Sequence, residues 1–538
     1  MSYTAHQDRF TLEHLPPLSE WPELIFTLPE LHYPERLNCA AELLDKMAER
    51  HPDRLCVQSP EVRWTYGDLL QKANRIARVL TEDLGLIPGN RVLLRSANNP
   101  MLVAAWFAVM KAGGVAVATM PLLRAKELTE IISKAEVSHA LVDARLAEEL
   151  NNALPGCPTV RQVRYWGSGG TLEADLEAKP AEFATVETAA TDPCLIAFTS
   201  GTTGKPKGCI HFHRDVLAVC DTFSKHVLQP RPDDVFVGSP PLAFTFGLGG
   251  LVLFPLRVGA STVLLEKAGP GELLPAIQQF KASVVFTSPT AYRAMSARVP
   301  DFDLGSLRRC VSAGEALPAS TRQLWQGATG LELMDGIGAT EMLHIFIAHL
   351  PGEARPGATG KPVPGFEARV VDEEGSPLPA GQVGRLAVRG PTGCRYLADE
   401  RQLKYVQGGW NFTGDAYLMD EDGYFHYQAR TDDMIISSGY NIAGPEVEDA
   451  LMLHPAVAEC AVVGLPDPER GQLVSAFVVL RPGFAPGEAL TKELQDFVKG
   501  AIAPYKYPRR VEFLQTLPRT QTGKLQRFVL RQEGKVGG

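Results

Sequence analysis

The chain has 538 residues, more than one hydrophobic core usually supports, and its 45% apolar and 21% charged residues describe a folded protein rather than a disordered or fibrous one. A formal net charge of −9 and a pI near 5.8 argue against polyanion binding, which needs clustered Lys and Arg to release counterions. The nine cysteines are scattered, odd in number and never spaced CxxC, which reads as reduced thiols in a cytosolic protein.

The opening MSYTAHQDRF lacks a basic stretch followed by an apolar one, so no secretory signal is expected. Thr65 to Asp68 spells a variant capping box, and Leu69, Ala73, Ile76 and Leu80 follow at helical spacing, which predicts an amphipathic helix. Pro88-Gly89-Asn90, the apolar run RVLLRS, a helical stretch from Pro100 to Lys111 and the run VAVATM then alternate as β, α, β, which implies a parallel sheet. The apolar segments MLVAAWFAVM and GLGGLVLFPL are cut short by Lys111 and by Pro255 and Arg257, below the ~20 residues that span a bilayer, so no membrane span is expected.

Between residues 233 and 317, VFVGSP, ASTVLLE, ASVVFTSP and LRRCVSAG repeat the alternation and predict a second wound subdomain. From about residue 365, FEARVVDEEGSPL, GRLAVRG and DGYFHY read as shorter strands with turns, a small β-rich subdomain that closes the large lobe near Arg430. The remaining residues alternate helical EVEDALMLH, strand-like AECAVVGL and SAFVVLRP, and helical KELQDFVKGAIA, a small α+β domain. The expected architecture is therefore an α/β large lobe of two wound subdomains plus a β-rich one over residues 1–430, and a mobile α+β domain over 431–538. Neither internal repeats nor low-complexity segments are visible.

The segment richest in chemistry is TSGTTGKPKG, Thr199 to Gly208, directly after the apolar run CLIAF. Small and hydroxyl residues leaving a strand bring backbone N–H groups, hydroxyls and an ammonium against phosphate oxygens. The bland reading is a surface linker; the repeated hydroxyls and two lysines favour phosphate. It is not a Walker A loop, because Pro206 follows Lys205 where that motif needs Ser or Thr.

This loop resembles the phosphate loop of the acyl-adenylate-forming superfamily, which includes acyl-CoA synthetases, peptide-synthetase adenylation domains and firefly luciferase. Further segments match in order: DGIGATE (Asp335 to Glu341), NFTGD (Asn411 to Asp415), RTDDMIISSGY (Arg430 to Tyr440) and PRTQTGKLQR (Pro518 to Arg527). The resemblance implies ATP, Mg²⁺ and coenzyme A as cofactor and co-substrates. It implies a phosphate loop of Thr199, Ser200, Gly201, Thr202, Thr203, Gly204 and Lys205, and an adenine site of Gly314, Glu315, Ala316, Asp335, Gly336, Ile337 and Gly338. Thr340 would lie at the phosphates, Glu341 would hold Mg²⁺ as a hard carboxylate ligand, and Asp415 with Arg430 would orient the ribose. Lys524 would stabilise the charge that builds as a carboxylate attacks the α-phosphorus. Asp432 would be the interdomain hinge, and Ser438, Gly439 and Tyr440 would meet coenzyme A.

Ala243, Phe244 and Phe246 fall where the family builds its acid pocket, and Gly338, His344 and Ile345 would complete it. The TEMLHIF stretch resembles the aryl-CoA ligase branch, benzoate-CoA and 2-aminobenzoate-CoA ligases in particular; the bland reading of His344 is a satisfied core histidine. Departures from the commonest pattern are Ile337 for an aromatic, Ala429 for glycine and Ser437 for a lysine linked to thiolation.

The expected activity is an acid–CoA ligase working through an acyl-adenylate on benzoate or 2-aminobenzoate. Alternatives are a medium-chain fatty acid–CoA ligase, suggested by ISSGY, and a stand-alone adenylation enzyme loading a carrier protein. A catalytically dead regulatory protein and a luciferase-like monooxygenase are less well supported. A soluble cytoplasmic monomer or homodimer without nucleic-acid or membrane partners is expected.

Overall fold

The computed structural model describes residues 3–536 except 201–205, 432, 438–439, 468 and 520–524. Four sheets organise the described residues. The first has six strands in the order Gln162–Trp166, His139–Asp143, Arg91–Arg95, Val115–Thr119, Pro193–Ser200 and Pro206–Phe212. Its first five strands run parallel and the last turns back antiparallel.

The second sheet has nine strands, with a parallel centre of Leu333–Gly338, Arg309–Ser312, Val284–Thr287, Val235–Gly238, Ser261–Val263 and Leu55–Gln58. The strands expected between residues 233 and 317 are all present in this centre. Antiparallel strands close both edges, Ile345–Ala348 then Lys361–Pro362 on one side and Arg63–Thr65 on the other. The hairpin Leu55–Thr65 joins this second sheet although it precedes the whole of the first in sequence.

Between the two sheets lies the helix Pro100–Lys111, in which every residue but Met101 is buried. A helix apolar all round is what a position sandwiched between layers requires, so the apolar run is core rather than membrane. Among the described residues, no helix is long and apolar enough to cross a membrane. Its terminal Lys111 is buried yet donates to both carboxylate oxygens of Asp45 at 2.5 Å and to Thr185 Oγ1 at 2.6 Å. The helix Tyr66–Arg78 begins with the expected capping box: Asp68 N–H donates to Thr65 Oγ1 at 3.1 Å and Thr65 N–H to Asp68 Oδ2 at 2.8 Å.

The third sheet is antiparallel: Glu367–Val371, Val383–Arg389, Trp410–Met419 with Val406–Gln407, and Phe425–Arg430. The fourth is formed by Ile435–Ser437, Tyr440–Ile442, Val457–Asp467, Gly471–Leu480 and Arg510–Phe513, covered by the helices Gly444–Met452 and Glu488–Ala501 around their own apolar cluster. The chain thus has the mixed α/β large part and α+β terminal part that its alternation implied.

Under the nine-stranded sheet, Trp325 is fully buried and meets the Tyr292 ring edge-on at 4.8 Å. Trp325→Ala removes that filling and is expected to destabilise by about 3–5 kcal/mol, read as a fall in urea midpoint; a loss under 1 kcal/mol would show that the site collapses without cost.

Candidate active site

Most of the residues expected to bind phosphate fall in sequence between the last two strands of the first sheet. Strands Pro193–Ser200 and Pro206–Phe212 pair antiparallel, with Thr199 opposite Lys207 and Ser200 opposite Pro206. The expected phosphate residues Gly201, Thr202, Thr203, Gly204 and Lys205 lie outside the described residues, as do Asp432, Ser438, Gly439 and Lys524.

At the carboxyl ends of the parallel strands of the second sheet, where open α/β sheets bind ligands, the expected adenine residues converge. Ser312 is in register with Asp335, so the turn at Gly314, Glu315 and Ala316 sits beside Asp335, Gly336, Ile337 and Gly338. Gly314 adopts φ +91°, left-handed backbone that favours glycine. Burial pushes the Asp335 carboxyl up to about 7, against the pull of Arg322.

Thr340 to Met342 form one 3-10 turn, ended by Leu343 at φ +67°. A non-glycine residue in that region costs on the order of 1–3 kcal/mol and persists where its surroundings impose it. Here the Thr392 hydroxyl donates to Met342 O at 2.8 Å, and Leu343 N–H donates to Thr340 O at 3.1 Å. The reversal sends Glu341 and His344 to different surroundings.

Glu341, buried at 7% exposure, accepts the phenolic O–H of Tyr396. Lys207 Nζ donates to Tyr396 Oη at 3.0 Å and stands 3.9 Å from Glu341 Oε1. Loss of water raises the Glu341 carboxyl above its ordinary value, the neighbouring Cys209 thiol adds to this, and Tyr396 and Lys207 oppose it. A carboxylate beside a threonine hydroxyl offers the hard oxygen donors that Mg²⁺ takes, and a bound divalent cation would offset the desolvation, so the residues fit the ion.

Behind this turn, His211 Nε2 donates to Thr340 O at 2.8 Å, while its other face lies 3.8 Å from Asp215, itself paired with Arg395. Burial works to lower the His211 pKa, but the Cys209 thiol and the Asp215 carboxylate raise it to about 9. Asp415 and Arg430, expected at the ribose, are cross-strand partners with Arg430 Nη1 3.1 Å from Asp415 Oδ1.

His344 is 2% exposed and ringed by Phe254 at 4.5 Å, Phe223 at 5.4 Å, Phe246 at 5.7 Å and Phe286 at 6.3 Å between ring centroids. Gly249 and Gly250 permit this packing: a Cβ at Gly249 would lie 2.3 Å from His344 Cδ2, and one at Gly250 2.5 Å from Phe286 Cδ1. Neither imidazole nitrogen makes a hydrogen bond of good geometry, and burial lowers the ring to about 3, so it is neutral. Ala243 and Phe244 are half-buried at the entry to the short helix Thr245–Leu248, and Ile345 is buried against Gly336. Asn98 pins the segment before them, donating to Pro240 O at 2.9 Å and accepting from Leu242 N–H at 2.8 Å.

The terminal part reaches the turn expected to meet adenine through Arg519, whose Nη1 lies 3.6 Å from Glu315 Oε1. Arg519 also pairs with Leu525 in an isolated antiparallel bridge. Tyr440 is exposed and stacks on Tyr505 at 4.5 Å, and Ser437 is buried.

Sequence reasoning missed Tyr396, His211, Phe223, Phe254 and Phe286. Lys207 stood in the quoted loop without a role, but nothing in CRYLADERQ marks Tyr396. Cys39, Cys194 and His213 form a buried group with ligand-like spacing, yet His213 Nδ1 already accepts the Cys39 backbone N–H at 3.1 Å, which accounts for it as packing.

Tyr396→Phe removes the hydroxyl that holds the Glu341 charge. Acyl-adenylate formation is expected to slow about 10-fold and its acid limb to move to higher pH, because a hydrogen bond that lowers the carboxyl is lost; a pH–rate profile with an unmoved limb would exclude this role.

The AMP-binding enzyme family matches residues 44–396, and the AMP-binding enzyme C-terminal domain matches 446–524. A benzoate–CoA ligase of Thauera aromatica is 36% identical over 516 residues, covering 94% of this chain and 98% of its own length. The crystal structure of the anthranilate CoA ligase AuaEII in complex with anthranoyl-AMP superposes with a TM-score of 0.90 at 34% identity, over 95% of this chain and 99% of that one. A benzoate CoA ligase from Burkholderia xenovorans superposes with a TM-score of 0.84 at 32% identity, over 92% and 100%. The chain belongs to the AMP-binding enzyme family and is an acid–thiol ligase that uses ATP, Mg²⁺ and coenzyme A.

Proposed function

We propose that the chain activates an aromatic acid, 2-aminobenzoate ahead of benzoate, as its acyl-adenylate and transfers the aroyl group to coenzyme A. The observation that carries this reading is the neutral, poorly hydrogen-bonded imidazole of His344 inside a box of phenylalanines. Flat aromatic walls suit a ring, and a neutral imidazole nitrogen accepts a hydrogen bond from a ring amine without putting a charge into the pocket. The relatives named for benzoate and anthranilate support the same class.

In this reading residues 1–430 hold the nucleotide and the acid, and 431–538 turn about Asp432 between the half-reactions. A carboxylate oxygen of the acid attacks the α-phosphorus, the bond to the pyrophosphate oxygen breaks, and pyrophosphate leaves. Lys524, Thr340 and the phosphate loop stabilise the developing charge; Glu341 would hold Mg²⁺, which would supply charge neutralisation. Asp415 and Arg430 orient the ribose. The thiolate of coenzyme A, admitted beside Ser438, Gly439 and Tyr440, then attacks the acyl carbon and AMP leaves.

The test is AMP, pyrophosphate and thioester formation with MgATP, with and without coenzyme A, across 2-aminobenzoate, benzoate, hydroxybenzoates and C6 to C10 fatty acids. The expected result is thioester from 2-aminobenzoate first, with His344→Leu lowering its kcat/KM about 10-fold or more and that of benzoate less. Best turnover of a C6 to C10 acid would replace the aromatic reading with a medium-chain one. Adenylate without thioester would point to a carrier protein as acceptor.

A further inference from the structure

We propose that His211 is a positioning residue for the phosphate end of the active site: its Nε2–H, donated to Thr340 O at 2.8 Å, fixes the peptide that joins Thr340 to Glu341. The inference rests on the reading of Thr340 and Glu341 as the phosphate and Mg²⁺ residues.

Three observations lead here. The turn Thr340–Met342 ends in a positive-φ leucine, so its backbone is held by neighbours rather than by local preference. Thr392 holds its far end through Met342 O, and His211 holds its near end through Thr340 O. The imidazole itself stands on rigid ground. His211 belongs to the strand Pro206–Phe212, flanked by Pro193–Ser200 on one side and by the segment Arg395–Leu397 on the other, where Ile210 N–H donates to Arg395 O and Leu397 N–H to Gly208 O, both at 2.8 Å.

The same strand and segment carry Lys207 and Tyr396, the two groups that hold the Glu341 carboxylate. Side-chain carboxylate and turn backbone are therefore gripped from one platform: Glu341 by Tyr396, Thr340 by His211. Behind His211, the fully buried Asp215 faces Nδ1 at 3.8 Å, accepts the Phe212 N–H at 3.0 Å and pairs with Arg395. This keeps Nδ1 toward Asp215 and Nε2 toward the turn. A group that touches neither substrate nor metal but holds those that do acts through geometry, and misplacement near 1 Å is worth up to ~10²-fold in rate.

The deciding pair is His211→Gln and His211→Asn. Both put a neutral amide in the buried site, but the Gln amide reaches the position of Nε2 and the Asn amide stops at Nδ1. Pyrophosphate release is measured against Mg²⁺, ATP and acid concentration, alongside thioester formation from supplied aroyl-adenylate and coenzyme A, with the melting temperature of each variant. In His211→Asn the adenylation kcat is expected to fall ~10- to 100-fold and half-saturating Mg²⁺ to rise, while the acid KM and the thioester step stay near wild type. His211→Gln is expected to recover most of that loss. Glu341→Gln is the control and should shift the Mg²⁺ dependence by itself. If it does while the Gln and Asn variants behave alike, or lose both half-reactions equally, the role of His211 is overturned. If Glu341→Gln leaves the Mg²⁺ dependence unmoved, the underlying reading of Glu341 fails instead.

Discussion

The buried carboxylate of Glu341 is the constraint around which the candidate active site is built. An ionised carboxylate removed from water is costly unless paired and hydrogen-bonded. Here the pairing comes from residues remote in sequence: Lys207 and Tyr396 act as one relay, ammonium to phenol to carboxylate. To bring them together, the closing hairpin of the first sheet, the turn Thr340–Met342 between two strands of the second and the segment Arg395–Leu397 between two strands of the third must meet. The three-part large lobe is the scaffold for that meeting, and a charge prepared but only partly compensated is what a site for a divalent cation needs.

The pocket proposed for the acid follows the opposite logic. Around His344 there are phenyl rings, two glycines that let them close in and, among the described residues, no charge partner. Burial holds the imidazole neutral, so it can discriminate by hydrogen bonding instead of attracting any anion. Glu341 and His344 are three positions apart, and the positive-φ Leu343 between them separates a charged environment from an apolar one. In the proposed reading, strain at this turn lies where nucleotide and acid chemistry must be adjacent yet differently solvated.

Stability and function draw on the same packing. The buried helix Pro100–Lys111 packs on the first sheet and against the helix Tyr66–Arg78, and Asn98 just before it ties that layer to the backbone at Pro240 and Leu242. A core that orients the pocket in this way tolerates little volume change, as close-packed interiors do.

The sequence by itself determined the order of elements, because apolar periodicity and turn residues are local: the capping box at Thr65, the helix from Pro100 and the strands between residues 233 and 317 are all where their patterns put them. It also carried the resemblance to the family, since the segments that carry it are contiguous motifs. What tertiary structure alone decided is which separate segments meet. Leu55–Thr65 pairs across to Ser261–Val263, Tyr396 lands on Glu341, His211 under Thr340, and Phe223, Phe254 and Phe286 around His344. None of these pairs has a local signature, because a buried hydrogen bond or ring contact depends on the distance between atoms in the folded chain, and that distance is set by how sheets and helices pack.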